Sequence, residues 1–583
     1  MISIVNATID QKPDILAAHR ACQKAVVLSA STMDNRETEG EDHPLKNNEG
    51  KTIENNDASG EKDACIKKQS GLSRLSKIRT ASFFGALFLC LAVVFAFSFI
   101  IPCPVRPISQ RTWSIQYDKA VGYPFLATQD VNQDKVQDVI FIFKTDNASK
   151  SNVSCVDEGF QQPCFFLSAL SGTNGSTLWV RPVSDDDVLL VECGIHYLGG
   201  VDDVACLVIR KSGFILAIDS TTGHPLWEKP TRFAPESTVI KPLLKIPDVD
   251  NDGVEDLMVF IFVENELQSA TFSGKSGNGI GQKWRIGTDQ PSGYYTHVTN
   301  SKAQYVLFYK GSSIAAYSVS TLCSHTAGPE AKQLATVQDS DWEAQRNISA
   351  GFIPIITSSS SGTILYLLNV PGRYYNNILV VKSEVSELLD GQKFQTLWSV
   401  NTTNILSKPA LGFFKRDVLS IMMELEIGMN KKKVVIVDSN SGALQWAFEL
   451  NLGLARQNPA VLNTGDHRST FLFWGVNYLE SNISESEENL FMFHPSHPNA
   501  LLQLNNHTEN IILFSAALFE RSRHACYVLM TGPNITEDPG TLTVSKRKLK
   551  EDINNGKVIW FGTEEVDTES IREEFFRMRY SSH

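Results

Sequence analysis

ILAIDSTTGHPLW, residues 215–227, reads as one strand, a tight turn and the start of the next strand. Ile215 to Ile218 form an apolar run, Asp219 opens the turn, and Trp227 follows it. Gly223 supplies the positive φ that such a turn needs. The unit recurs as LSALSGTNGSTLW (167–179), as VVIVDSNSGALQW (434–446) and, with a longer turn, as SATFSGKSGNGIGQKW (269–284). Gly175, Gly277 and Gly442 take the place of Gly223. Each tryptophan is expected to begin a strand and to pack between adjacent sheets.

The tryptophans extend the pattern. Trp113, Trp179, Trp227, Trp284, Trp342, Trp398 and Trp446 stand at intervals of 48 to 66 residues, and Trp560 lies 114 residues beyond Trp446, with Trp474 outside the series. The last gap is about twice the others, as if one tryptophan were missing near position 503. Trp342 and Trp398 lack a good copy of the turn. A period of this length, with several short strands in each, predicts an all-β fold: a β-propeller of seven or eight blades. The tryptophan count fits eight slightly better. Unrelated hairpins in stacked sandwiches are the alternative.

Two acidic loops carry recognisable site chemistry. In DVDNDGVED, residues 248–256, Asp248, Asp250 and Asp252 stand at alternate positions and Gly253 allows a sharp bend. The Val254 carbonyl and Asp256 complete a set of hard oxygen ligands suited to a structural Ca²⁺. The loop begins like an EF-hand but has no Glu at its twelfth position and leads into an apolar strand, LMVFIFV. A second copy, DVNQDKVQD (130–138), offers Asp130, Asn132, Asp134, the Val136 carbonyl and Asp138. Lys135 replaces the glycine there, so its bend needs a less favoured conformation and a positive charge sits beside the site. For both loops the alternative is a solvated acidic turn without metal.

A different signal sets the expected location. Thr80 to Ile101 is a 22-residue run with no charge. At about 1.5 Å per residue it spans roughly the 30 Å hydrocarbon core of a bilayer. Lys67, Lys68, Arg74, Lys77 and Arg79 precede it, which favours a cytosolic N-terminus and a type II signal-anchor. Eight N-x-[ST] triplets follow it, at Asn147, Asn152, Asn174, Asn347, Asn401, Asn482, Asn506 and Asn534. One, at Asn6, precedes it. The number and side of these triplets agree with a glycosylated extracellular or lumenal domain. The chain then divides into a polar cytosolic tail (1–79), the span (80–101), a Pro-rich stalk (102–112), the propeller (113–565) and a C-terminal tail (566–583). An i, i+4 apolar pattern at Ile571 and Phe575 suits a short docked helix in that tail.

Seven of the ten cysteines lie beyond the span. Cys155 with Cys164, and Cys193 with Cys206, are close enough for local disulfides in an oxidising compartment. Cys103, in the stalk, is a candidate for an intermolecular bond or acylation. The state of Cys323 and Cys526 is left open. A net charge of −12 argues against nucleic acid as a partner.

The D-x-[DN]-x-D-G-x-x-D loop followed by an apolar strand resembles the FG-GAP repeats of integrin alpha propellers. The stretch from Ala217 to Trp227 resembles the blade motif of quinoprotein-type propellers. HPLKN at His43, SFIIPCP at Ser98, SCVDEGF at Ser154, SGTNGSTLW at Ser171, FFKRDVL at Phe413 and FMFHP at Phe491 are similar to a vertebrate FG-GAP-containing membrane family, "family with sequence similarity 234". The resemblance runs from about Met33 to the end, which favours Met33 over Met1 as the usual start. It implies a single-pass type II membrane protein with an extracellular propeller, and no defined reaction.

The expected function is therefore non-enzymatic: protein–protein interaction at the cell surface by a calcium-stabilised ectodomain. A scaffold or trafficking role in the secretory pathway is the alternative. A quinoprotein-like enzyme is weaker, because no adjacent cysteine pair, Cys-His arrangement or GxSxG elbow occurs. SGKSGNG at Ser273 lacks the upstream glycine of a phosphate loop. His494 and His497 in HPSHP lack a third ligand and read as a plain loop. No catalytic residue is assigned.

Overall fold

The computed structural model describes residues 81–95, 112–148, 153–287, 289–327, 337–347, 351–355, 362–453, 457–476, 488–519 and 524–581. Two separate units comprise Met1–Val105 and Arg106–His583. In the first, residues 81–95 form a helix whose side chains are all exposed, Phe83, Phe88 and Phe95 among them. No helix of the described residues is long and apolar enough to cross a membrane. Thr80 and residues 96–101 of the expected span, the tail 1–79 and stalk residues 102–111 lie outside the described residues.

The second unit is an eight-bladed propeller. Five of its blades are separate four-stranded antiparallel sheets, from Val188–Pro230 (blade 2) to Ala410–Asn451 (blade 6). Blade 7 has a fifth strand, Lys557–Trp560, on its outer edge. The seven-stranded sheet is two blades joined by the long strand Trp113–Gln129. Its first half pairs with Gly540–Lys548 as the outermost strand of blade 8. Its second half pairs with Asp138–Thr145 as the innermost strand of blade 1. The ring is thus closed by main-chain hydrogen bonds between the two ends of the domain. Among the described residues, eight hydrophobic clusters of buried residues lie one at each junction between neighbouring blades. The second strands, such as DVIFIFKT and DLMVFIFV, are apolar on both faces because each face meets a neighbouring blade.

The tryptophans act at these junctions. Trp179 is the third residue of the outermost strand of blade 1, Thr177–Ser184, and its indole N–H donates to the Ser220 carbonyl in the turn of blade 2 at 2.7 Å. Trp398 does the same to Ser439 at 2.8 Å, and Trp113 and Trp227 reach Gly172 and Gly274 at 3.3 Å. Each ring lies flat against a turn glycine. A Cβ on Gly223 would sit 2.7 Å from Trp179, and one on Gly277 would sit 2.3 Å from Trp227. These glycines hold φ of +72° and +71°, so both backbone and contact exclude a side chain.

Where the turn motif lapses, the junction is rebuilt. Trp284 stacks on His325 of the helix Val319–Ala327, with centroids 4.3 Å apart. Trp342 belongs to a short helix, Ser340–Glu343, not to a strand as the series suggests. It is nonetheless fully buried between blades 4 and 5, against His297 and Phe394. Phe394 occupies the turn position that glycine holds elsewhere, with φ +58°. Trp446 docks on blade 7, donating to the Pro498 carbonyl at 2.9 Å and stacking on Phe493. The missing tryptophan near 503 is Leu502, paired with Met492 as Trp446 pairs with Ile436. Trp560 is not in the series; it sits on the fifth strand of blade 7.

The disulfides Cys155–Cys164 and Cys193–Cys206 are both formed. Cys323 and Cys526 are buried outside them. The C-terminal helix, Thr568–Arg577, buries Ile571 and Phe575 in the cluster between blades 7 and 8. Trp398→Ala should cost about 3–5 kcal/mol, as for other buried aromatic truncations. Trp398→Phe keeps most of the packing but loses the bond to Ser439, so about 1–2 kcal/mol is expected. Denaturant titration of the purified variants checks both values.

Candidate metal centre

Both acidic loops join the first strand of a blade to its second, in blades 3 and 1, so they lie on one face of the ring. That face also carries the turns between third and outermost strands, against which the tryptophans dock.

In the blade 3 loop the carboxylates fold inward over their own backbone. Asp248 accepts from the Gly253 amide at 2.8 Å and from Asp252 at 3.2 Å. Asp252 accepts from the Val254 amide at 3.0 Å and from the Ser273 hydroxyl at 2.9 Å. Asp256 is fully buried and bridges the loop to the turn, accepting from Val249 at 2.7 Å and Gly274 at 3.1 Å. Gly253 takes φ +90°, the bend read from the sequence. One carboxylate oxygen each from Asp248, Asp250 and Asp256 lies within 4.8 Å of the others. Three such groups repel one another unless a cation or protons compensate. Burial, only partly offset by the bonds from Val249 and Gly274, pushes the Asp256 carboxyl up to about 6. Asp250 is also raised, by desolvation first and then by Asp252 and Asp248. The donor set and its spacing fit a hard divalent cation such as Ca²⁺. Lys275 donates to the Asp252 carbonyl at 2.9 Å, a positive charge at the rim that the sequence reading passed over.

The blade 1 loop has the same plan. Asp138 is fully buried and accepts from Val131 at 2.8 Å and from Gly172 of the turn at 2.8 Å. Asp134 accepts from Val136 and from the Thr173 hydroxyl, and Asp130 accepts from the Lys135 amide. Asn132 accepts from the Asp134 amide at 3.0 Å. Lys135 stands in place of Gly253 with φ +70°, the strained bend its sequence implies. One oxygen of Asp130 is buried without a hydrogen-bond partner. Desolvation raises Asp138 to about 6 as well. Its residues do not bring three carboxylate oxygens as close together as the blade 3 loop does.

The clamp between loop and turn was not read from the sequence, although a signal for it exists. The two turn copies that face acidic loops begin Ser-Gly (171–172 and 273–274), whereas the other two begin Asp-Ser (219–220 and 438–439). A Cβ on Gly172 would lie 1.8 Å from the Gln137 carbonyl, and one on Gly274 would lie 2.0 Å from the Glu255 carbonyl. Only glycine lets the acidic loop close on its turn.

The other two motifs form turns between the third and fourth strands of their blades. HPSHP is the corresponding turn of blade 7. His494 is buried, bonded to Thr464 at 3.1 Å, and accepts from Ser496. His497 pairs with Glu574 of the C-terminal helix at 3.1 Å. SGKSGNG is the blade 3 turn. Asn174, Asn347 and Asn401 are exposed, and Asn534 is half-buried. Asn147 and Asn506 lie in strands, and Asn152 and Asn482 fall outside the described residues, as does Cys103.

A family model described as FAM234A/B beta-propeller matches residues 113–581, the span from the closing strand to the C-terminal helix. The chain belongs to that family. Protein FAM234A of Homo sapiens is 40% identical over 557 residues, covering 94% of this chain and 100% of the relative. Protein FAM234B of Gallus gallus is 28% identical over 539 residues, covering 88% and 85%. Among solved structures, BamB from Moraxella catarrhalis is similar with 12% identity and a TM-score of 0.36, covering 75% of this chain and all of that one. The WD40 domain of SCAP from fission yeast has 10% identity and a TM-score of 0.38, covering 74% and 98%. Neither structural likeness bears on function.

A carboxyl raised above its ordinary value stabilises the fold while protonated. Its contribution is complete below about pH 4 and is lost as pH rises through about 6. In chelator, wild type should therefore gain stability relative to Asp256→Asn as pH falls from about 6 to about 4. Denaturant titration across that range checks the sign, and a loss of wild-type stability relative to the variant on acidification contradicts it.

Proposed function

We propose that this FAM234-family chain is a non-enzymatic, single-pass type II membrane glycoprotein. Its propeller, stabilised by Ca²⁺, mediates protein–protein interaction at the cell surface. The observation that carries the reading is the pair of acidic loops at the same position in two blades. Each is clamped to a turn through a buried aspartate. Asp248, Asp250, Asp252, Asp256 and the Val254 carbonyl would hold the ion in blade 3, a site of FG-GAP type. Asp130, Asn132, Asp134, Asp138 and the Val136 carbonyl would hold a second. A saturated set of oxygen ligands leaves no open position for chemistry, so the ion would be structural. The 22-residue uncharged run supports the anchor, and the eight triplets beyond it support glycosylation.

A scaffold role inside the secretory pathway rests on the same features and differs in location. Proximity labelling restricted to the surface of intact cells, with and without chelator, separates the two. Labelled neighbours that disappear on chelation support the surface reading. A protein found only in internal membranes, with immature glycans, supports the second.

Calcium should raise the melting temperature of the purified protein. At a hundred times the dissociation constant the gain is about 2.7 kcal/mol per site. Asp248→Asn with Asp250→Asn should remove most of that gain, and an unchanged gain in this double variant would refute the blade 3 site.

A further inference from the structure

The third copy of the turn has three more residues between its glycine and its tryptophan than the other copies. They are not in the turn. The amide of Ser273 donates to Asn278 and that of Gly277 to Ser273, each at 2.8 Å, as Ser171 and Gly175 do in blade 1. The extra residues lie in the outermost strand. Thr271 pairs with Ile280 and Ser269 with Trp284, so Gly281, Gln282 and Lys283 stand opposite Ala270 alone. Gly281 takes φ +63° there. Such a bulge frees main-chain donors and acceptors from the ladder and redirects side chains.

The bulge borders a cleft of about 400 Å³ between blades 2 and 3. Pro230, Ala270, Phe272 and Ile280 give it apolar walls. Lys229, Arg232 and Lys283 also line it. The Lys283 ammonium donates to the Arg232 main-chain carbonyl at 2.6 Å and lies 5.0 Å from the centre of the Phe233 ring, so that two cationic residues line one edge. Among the described residues none of the three cations forms an ion pair, in a chain of net charge −12. Residues 188–287, which build the two blades, contain no N-x-[ST] triplet, so this sector carries no N-glycan.

We propose that this cleft docks an acidic, extended peptide segment of a partner protein. Its carboxylates would meet Lys229, Arg232 and Lys283, an apolar side chain would enter beside Phe272 and Ile280, and its main chain would use the groups the bulge leaves unpaired. An anionic polysaccharide matches the charge but not the apolar walls. The inference rests on the reading of the propeller as a binding module and not on calcium or membrane anchoring.

Fluorescence anisotropy of the full-length protein with a labelled decapeptide alternating glutamate and leucine tests it. Saturable binding is expected, weakened at least about tenfold in Arg232→Glu with Lys283→Glu, by loss of attraction and added repulsion. Lys431→Glu, an exposed cation of blade 6, should bind like wild type. Equal melting temperatures show that the variants fold. Binding that survives in chelator separates this cleft from the acidic loops. No saturable binding, or binding unchanged in the double variant, overturns the proposal. So does a heparin oligosaccharide that binds where the peptide does not and is lost in the same variant. A calcium-stabilised protein that fails the peptide assay refutes the cleft while leaving the broader reading intact.

Discussion

The indole wedged between neighbouring blades is the contact on which the rest of the molecule depends. A blade of four strands is apolar on both faces and has no stability of its own, so each must be set against the next at a fixed angle. Trp113, Trp179, Trp227 and Trp398 do this twice over, with a flat face on a turn and an N–H on the carbonyl of that turn. The turn can accept the ring only because glycine removes the Cβ that would collide with it. Trp113 adds closure, since its strand pairs with Gly540–Lys548 of blade 8. The same contact therefore sets the blade angle and ties the ring.

The acidic loops are built onto this contact. Asp138 and Asp256 reach across to the turn amides of Gly172 and Gly274, whose carbonyls accept from Trp113 and Trp227. A carboxylate, a glycine amide and an indole are thus linked in series at two junctions. A cation in the loop would tighten the turn, and through it the blade junction, without touching any hydrophobic residue. The elevated values of Asp138 and Asp256 express the cost of leaving that charge uncompensated in a buried position.

Much of this was legible in the sequence. The turn motif and the tryptophan period are local signals with a local cause: a positive φ at one residue and a large apolar ring four residues later. They were enough for the propeller and for the strands that begin two residues before Trp179, Trp227 and Trp446, while the short cysteine spacings gave both disulfides. The acidic loops were equally legible, because their donors lie within nine residues of one another. Trp342 was harder. Its helix lies in an insertion, and its partner Phe394 stands where the motif has glycine, so neither half of the contact carries the signature. The extra residues before Trp284 looked like a longer turn, because a bulge and a loop insertion are the same string of letters.

By itself the sequence determined the repeat, the fold class and the spacing of oxygen donors in the acidic loops, because each depends on residues close together in the chain. It also determined that an uncharged run precedes the propeller. Only the tertiary structure decided that the blades number eight, since that count depends on one strand being shared between the first blade and the last. It alone brought Gly172 and Gly274 under the acidic loops and set Lys229 and Arg232 beside Lys283 from the next blade. These juxtapositions depend on the stacking of sheets and on where a bulge falls in a strand, and no local pattern of residues encodes either.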